Sequence, residues 1–363
     1  MKTEPKYITI KNEIKVSIEK EDFISGTKIP SEAELRVHYG VSRHTIRQAI
    51  SELVNEGYLY KQQGAGTYVS DDYKVQISTD EGKRIGVITT YLSNYIFPSI
   101  IRGIEEELSR HNYTLMLSST RNNVDNERHN LDNMLNQEVD GLIIEPTKSN
   151  LLNPNLNYYL DIIEKKKPVV MLNASYEELE LPVIALDDVK ASLLATEHLI
   201  ELGHKKIGMI TKTDDVQGKN RLKGYLKALY NSGLSFESGH IIRYDTESKP
   251  YLANKISSLL DANSLPTAFV TYNDEVAVTL IKEIHRAGKN CPDDFSVVSH
   301  DNSFYSNVFP TISLTSINHP KEELGRAAAK WMIDAVEGKD HKHESIIYEP
   351  ELVIGNSTQA IVL

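Results

Sequence analysis

Apolar positions in the first seventy residues recur at helical spacing. Tyr7, Ile10, Ile14 and Ile18 fall on one face of the segment 6–22, and Ser25-Gly26-Thr27 breaks the pattern. Ser31, with Glu34 three residues later, forms a capping-box signature, and Ala33, Leu35 and Val37 follow it into a second helix. Tyr39-Gly40-Val41 reads as a tight turn in which Gly40 supplies left-handed backbone. Ser42 caps a third helix that runs to Gly57 and buries Ile46, Ala49, Ile50, Leu53 and Val54. The runs YLYKQ and TYVS, joined around Gly64-Ala65-Gly66, predict a β-hairpin.

Residues 71–82 are polar and without periodicity, so they read as a linker between a domain at 1–70 and a second at 83–363. Past residue 83 the rhythm changes. Short apolar runs (RIGVITT, YTLMLSS, DGLIIEP, PVVML, KKIGMIT, HIIRY, TAFVTY, FSVVSH) alternate with helical stretches that include Pro98–Asn112, Asp188–Leu202, Arg221–Ser232, Asp274–Gly288 and Lys321–Val336. Continuous Val/Ile/Leu runs separated by helices predict parallel sheets covered on both faces. The expected fold class is therefore α/β, preceded by a small α+β helix-turn-helix unit with a wing.

Composition narrows the partners. The net charge of -11 over 363 residues argues against a protein that coats nucleic acid by charge alone. Residues 1–72 carry ten Lys/Arg against eleven Asp/Glu, so a local DNA-reading surface stays open. Cys291 is the single cysteine, which excludes an intrachain disulfide and a thiolate zinc site and fits a reducing cytosol. No run of 18 apolar residues exists, and the N-terminus lacks the apolar stretch of a signal peptide; the expected location is cytoplasmic, with no membrane partner. Gly64-Ala65-Gly66 lacks a third glycine and precedes a strand, so it is no dinucleotide loop. Walker A, G-x-S-x-G and H-E-x-x-H patterns are absent, and no catalytic or metal site is expected. A transport binding protein would need a signal peptide, and a sensor without a DNA role conflicts with the N-terminal pattern.

In a helix-turn-helix the second helix enters the major groove by its N-terminal end. Arg43 and Arg47 lie one turn apart there, and arginine suits the two acceptors of guanine. His44 and Thr45 can bond phosphate or base, Ser42 caps the helix whose free amides favour phosphate, and Lys61, Gln62 and Gln63 flank the wing. The plainer reading is a solvated basic helix end beside an ordinary hairpin. The assembly PSEAEL, YGVSRHTIRQAISELVNEGYLY and QGAGTYV resembles the DNA-binding domain of the GntR family over residues 5–70. That resemblance implies DNA contacts from Glu32, Arg43, His44, Thr45, Arg47, Gln63 and Gly66. Ala33 stands where many members carry a basic residue.

A polyhydroxy ligand requires paired donors and acceptors plus an aromatic platform, placed at the carboxyl ends of strands. Those ends supply Tyr91, Asn94, Tyr95, Phe97, Glu145, Asp187, Asp188, Lys190, Tyr272, Asn273, Asp274, His300 and Asp301, while Arg221 is expected to open a helix. Asp187, Asp188 and Asp274 are equally read as helix caps, Tyr91 as core, and His204 as a turn residue. The stretches IFPSIIRGIEEELSRHNY, VDGLIIEP, ATEHLIELGHKKIGMI, RLKGY, TAFVTYNDEVAVTLI and DDFSVVSHDN resemble the effector domain of LacI/GalR-type repressors, itself similar to two-lobed periplasmic sugar-binding proteins. The resemblance implies that Arg221 and Asp301 grip sugar hydroxyls from the C-terminal lobe. The three crossings between lobes are expected near Ile184–Asp188, Asp301–Ser303 and Ser316–Pro320. Across the whole chain, DNERHNLDNML, LNASY, LDDVKASLLATEHL and HPKEELGRAAAK resemble the arabinose-responsive repressors of Gram-positive bacteria. This implies L-arabinose as effector, no cofactor, a homodimer, and palindromic double-stranded operator DNA released on sugar binding.

Overall fold

Ser31 folds as its spacing predicts. Its Oγ accepts from Glu34 N at 3.3 Å while its own N–H donates to Glu34 Oε2 at 2.7 Å, starting α2 (Glu32–Tyr39). Gly40 ends that helix at φ 59°, a left-handed conformation that suits glycine. Before it lies α1 (Lys6–Glu19) and after it α3 (Arg43–Asn55). Ile10, Ile14 and Ile18 of α1 pack on Leu35, Ile46, Ile50 and Leu53, all buried. The wing consists of β1 (Leu59–Gln62) paired antiparallel with β2 (Gly66–Val69), and Lys28 bridges to Tyr68 on the far side of β2.

This is a computed structural model, and it describes residues 6–19, 23–24, 26–55, 58–62, 66–70, 82–93, 95–339 and 344–361. The chain divides into two units, Met1–Gly82 and Lys83–Leu363. Of the segment read as a linker, all but Gly82 lies outside the described residues.

The second unit holds two sheets, each with helices on both faces. The first lobe's sheet contains β3 (Arg84–Thr89), β4 (Thr114–Ser119), β5 (Gly141–Ile144), β6 (Val169–Leu172), β7 (Val183–Leu186) and β13 (Ile346–Tyr348), in the order β13-β7-β6-β5-β3-β4. All its pairings are parallel. Helices α4 (Phe97–Arg110), α5 (Val124–Asn136), α6 (Leu156–Glu164) and α11 (Lys321–Val336) cover it. Helices α4 and α11 touch through glycine: a methyl group on Gly103 would stand 2.1 Å from Glu322 O, and one on Gly325 would stand 2.2 Å from Ile100 O. The second lobe contains β8 (Ile207–Lys212), β9 (Ile241–Tyr244), β10 (Ala268–Thr271), β11 (Ser296–Asp301), β12 (Thr315–Asn318) and β14 (Glu351–Val353), in the order β14-β12-β11-β10-β8-β9. Helices α7 (Asp188–Glu201), α8 (Val216–Asn231), α9 (Leu252–Leu260) and α10 (Asp274–Arg286) cover it. Strand β14 alone runs antiparallel to its neighbour.

These positions keep two of the expected crossings and correct the third. The chain passes between lobes after Leu186, after Asn318 and after Tyr348. The segment Asp301–Ser303 is no crossing, because β11 and β12 are neighbours in one sheet. The third passage lies between the short runs SIIYEP and ELVI, each of which adds an edge strand to a different lobe. Arg221 does not open its helix either: α8 starts at Val216 with Asp215 as N-cap, which places Arg221 in the second turn.

Candidate functional sites: an enclosed cleft and an arginine-bearing helix end

Between the two lobes of the second unit lies a cavity of about 340 Å³. Arg221 anchors its second-lobe wall. The guanidinium is fully buried and donates Nε to Asp188 Oδ1 at 2.7 Å, Nη2 to Asp301 Oδ1 at 3.1 Å and Nη1 to the Tyr272 carbonyl. Burial raises the Asp188 carboxyl to about 6 even though Arg221 pulls it down. Burial also works to raise Asp301, but the guanidinium overrides it and holds that carboxyl below the ordinary range.

Tyr95 reaches this wall from the first lobe. Its hydroxyl donates to Asp301 Oδ2 at 2.6 Å and accepts from Asp274 N at 3.2 Å. Tyr95 sits at φ 64° and Asp301 at φ 91°, left-handed conformations that cost a bulky or branched residue free energy. The strain is located where the lobes meet. Lys321, beyond the second crossing, donates its ammonium to the carbonyls of Asp301, Asn302 and His319 and fixes that turn.

In the first lobe, Glu145 follows β5. Its carboxylate accepts from Thr90 N at 2.8 Å and Asn173 Nδ2 at 3.0 Å, and burial raises it despite those bonds. Phe97 lines the same wall, with its ring 5.8 Å from Tyr91.

Of the residues singled out from sequence, Tyr91, Tyr95, Phe97, Glu145, Arg221, Tyr272, Asn273 and Asp301 line the cavity, and Tyr91, equally read as core, is only half-buried. Asn273 also caps α10 through Val276 N. Asp188 lies behind Arg221 and holds it. Lys190 does not reach the cavity: two residues along a helix is about 200° of rotation, so it points away from buried Asp188. Its ammonium pairs outside with Glu349 at 2.6 Å and Asp187 at 3.6 Å. Asn94 lies outside the described residues. His300 is buried and bonded through Nδ1 to the Thr271 carbonyl, and His204 bonds Thr267 and the Gln359 carbonyl. Asp274 holds Ser303 and Ser316.

Sequence reasoning missed Lys212, Asp215 and Tyr244, which line the cavity beside Tyr272. Lys212 Nζ lies 2.7 Å from Asp214 Oδ1 and 2.9 Å from Asp215 Oδ2; burial lowers the ammonium's affinity for its proton, but the two carboxylates outweigh it and raise it. Tyr272 OH donates to Asp215 Oδ2 at 2.7 Å. Lys212 ends β8, Tyr244 ends β9 and Asp215 lies just beyond β8, at strand ends for which the sequence named no candidates.

In the first unit, Glu32 accepts from Arg43 Nε at 3.2 Å and from Arg47 Nε at 3.0 Å. Both arginine side chains are well exposed, at 67% and 59%. Slight burial raises Glu32, but the two guanidiniums outweigh it and the carboxyl is lowered. Ser42 Oγ accepts from Thr45 N at 3.2 Å and shares a 2.8 Å hydrogen bond with Thr45 Oγ1, which sets the first turn of α3. His44 is exposed. Gly66 has φ 132° and begins β2 rather than forming the hairpin tip; a methyl there would meet Lys28 Cε at 2.4 Å. Gln63 lies outside the described residues.

The first unit matches the model for bacterial regulatory proteins of the gntR family over residues 6–69, and residues 196–358 match the periplasmic binding protein-like domain. The chain is 47% identical to the arabinose metabolism transcriptional repressor of Halalkalibacterium halodurans, covering 98% of this chain and 97% of that one. It belongs to the family of arabinose metabolism transcriptional repressors. The relative from Geobacillus stearothermophilus is 42% identical over 99% of both chains. The transcription regulator CcpA of Lactococcus lactis shares the fold with a TM-score of 0.68 at 26% identity, covering 77% of this chain and 100% of that one. The family assigns this chain to sugar-responsive transcriptional repression rather than to catalysis. Among the described residues no helix is long and apolar enough to cross a membrane.

Proposed function

We propose that the cleft binds L-arabinose and that its occupancy releases the first unit from operator DNA. The observation that carries this reading is the enclosed polar cavity, walled by both lobes and lined by fixed charges beside aromatic rings. Its size is at the lower end of the roughly 300–1,000 Å³ usual for small-molecule sites, the scale of a monosaccharide with a few waters. Oriented carboxylate and guanidinium groups match hydroxyls, and Phe97 and Tyr272 offer faces for the apolar side of a sugar ring. The choice of arabinose comes from the relatives' names.

The charge arrangement favours a neutral sugar over a sugar phosphate. Arg221 is held by Asp188 and Asp301, Lys212 by Asp214 and Asp215, and Lys249 by Glu275 at 2.7 Å. A phosphate entering this cleft would have to displace a carboxylate from a cation and leave that carboxylate near it.

On the DNA side, Arg43 and Arg47 exchange Glu32 for base edges, with His44, Thr45, Ser42 and the wing near Gly66 and Gln63 on the phosphates. One such helix reads few base pairs, so two copies of the chain act together on a palindromic site. Sugar favours the closed cleft, and a shift between the paired copies then costs them the advantage of binding together.

Calorimetric titration of the full chain against free and phosphorylated pentoses and hexoses tests the effector. L-arabinose is expected to bind, and its 5-phosphate is expected to show no heat. Tighter binding of a sugar phosphate would overturn the assignment.

A further inference from the structure

The first lobe holds a carboxylate that the effector reading does not use. Glu127 on α5 is fully buried. Its Oε1 accepts from Tyr159 OH at 2.9 Å, from Tyr176 OH, and from Thr147 N at 3.4 Å. Its Oε2 accepts from Asn155 Nδ2 at 2.8 Å and Asn153 Nδ2 at 3.2 Å. A buried carboxylate is tolerated when donors fill its lone pairs. Here three of those donors, at 147, 153 and 155, belong to the loop between β5 and α6. Glu127 thus helps to fix residues 147–155 to the lobe, together with Tyr176 OH, which bonds both Thr147 N and its carbonyl.

That loop faces the second lobe. Ser149 Oγ accepts from Val216 N, the first residue of α8, at 2.9 Å. Asn150 Nδ2 donates to the Thr213 carbonyl at 2.9 Å, and the Lys148 ammonium pairs with Glu247. The Lys148 N–H also donates to Asn122 Oδ1 at 2.9 Å, which ties the loop to the end of β4. Ser149 and Asn150 are not among the residues lining the cavity.

We infer that residues 147–150, held in place by Glu127, form a latch that sets how readily the cleft closes and so tunes effector affinity without touching the effector. Glu127 is a positioning residue, acting through Ser149 and Asn150. The inference rests on the reading that effector binds the closed cleft. Contacts made only in the closed state add the same free energy to every closed complex. Loosening them therefore scales affinity for all sugars by one factor, whereas a residue touching the sugar changes the ratio between sugars.

The test is calorimetry on the full chain with L-arabinose and a second sugar that the wild type binds. The Ser149→Ala/Asn150→Ala double variant is expected to raise both dissociation constants about tenfold, the size of two lost hydrogen bonds, with their ratio unchanged. Ser149→Thr, which keeps the hydroxyl, is expected to stay within about twofold of wild type. Glu127→Gln, which turns an amide donor toward donors, is expected to weaken both sugars together. Operator affinity measured without sugar is expected to be unchanged in the double variant. Wild-type sugar affinity in the double variant, or an altered ratio between the sugars, would overturn the latch. A wild type that binds no sugar would overturn the effector reading itself, and the latch with it.

Discussion

The chain builds the same kind of ionic cluster twice, in opposite surroundings. In the first unit, one carboxylate, Glu32, lies between two arginines whose side chains are 67% and 59% exposed. In the second, one arginine, Arg221, lies between Asp188 and Asp301, and none of the three side chains exceeds 5% exposure. Water screens the first cluster, so its bonds are weak and its excess positive charge is available to a polyanion. The second has no such screening. Its charges are neutralised by one another, with only uncharged partners added by the Tyr95 hydroxyl and the Tyr272 carbonyl, so removing one charge leaves the others uncompensated. The outer cluster suits exchange of partners and the inner one suits a fixed template.

The inner cluster is the place to break that contrast. Arg221→Ala is expected to lower the unfolding free energy of the second unit by about 3–5 kcal/mol and to abolish the effector response, giving a repressor that sugar no longer releases. Denaturant unfolding and a gel shift with added L-arabinose measure the two effects. A variant that folds as well as wild type would place this cluster with the weak surface pairs.

Arg43→Ala and Arg47→Ala are expected to weaken operator binding by roughly 1–3 kcal/mol each, the value of a bidentate base contact, without changing sugar affinity. Fluorescence anisotropy on the operator and on a scrambled duplex decides whether the loss is specific to sequence.

Asp188 gives a pH signature opposite in sign to that of Glu32 in the outer cluster, whose carboxyl is lowered. The Asp188 carboxyl in the folded chain is raised to about 6, above its ordinary value. Its contribution to stability is therefore complete at low pH and is lost as pH rises through 6. Relative to Asp188→Asn, the wild type is expected to lose on the order of 1–2 kcal/mol of stability between pH 4.5 and 7.5. Urea midpoints at the two pH values check it, and a gap that stays constant would show that Asp188 stays ionised across the range. The smallest effect belongs to Glu32→Gln, which is expected to change the stability of the first unit by less than about 1 kcal/mol, as a melting curve would show.

The contrast also explains what the sequence discloses. Helix caps are local, so Ser31–Glu34 and the start of α3 at Ser42–Thr45 can be read directly from the spacing. The alternation of apolar runs likewise discloses both parallel sheets. Three kinds of information are not local. The partners of Arg221 lie 33 and 80 residues away in the chain, so the resemblance could point to the arginine but spacing could not show what holds it. Lys212 ends β8 and Asp215 caps the helix just after it, but a lysine among acids at a strand end reads as solvated charge until the fold buries it. Lys190 fails for the opposite reason: strand-end counting continues past the start of α7, where helical rotation turns alternate side chains outward. The crossing after Tyr348 was hidden because two three-residue strands carry too little pattern to reveal that they join different sheets.

Those last strands govern the order in which working parts leave the ribosome. The first unit has all its described elements once residue 69 has emerged. The first lobe begins at β3 but lacks α11 and its edge strand until Tyr348, and the second lobe waits for Val353. Neither lobe can finish before the other has been nearly made, because both take an edge strand from residues 346–353. A nascent or truncated chain thus carries a complete DNA-reading head long before it carries anything able to respond to a ligand. A stop ahead of Ile346 leaves a head with both lobes short of an edge strand.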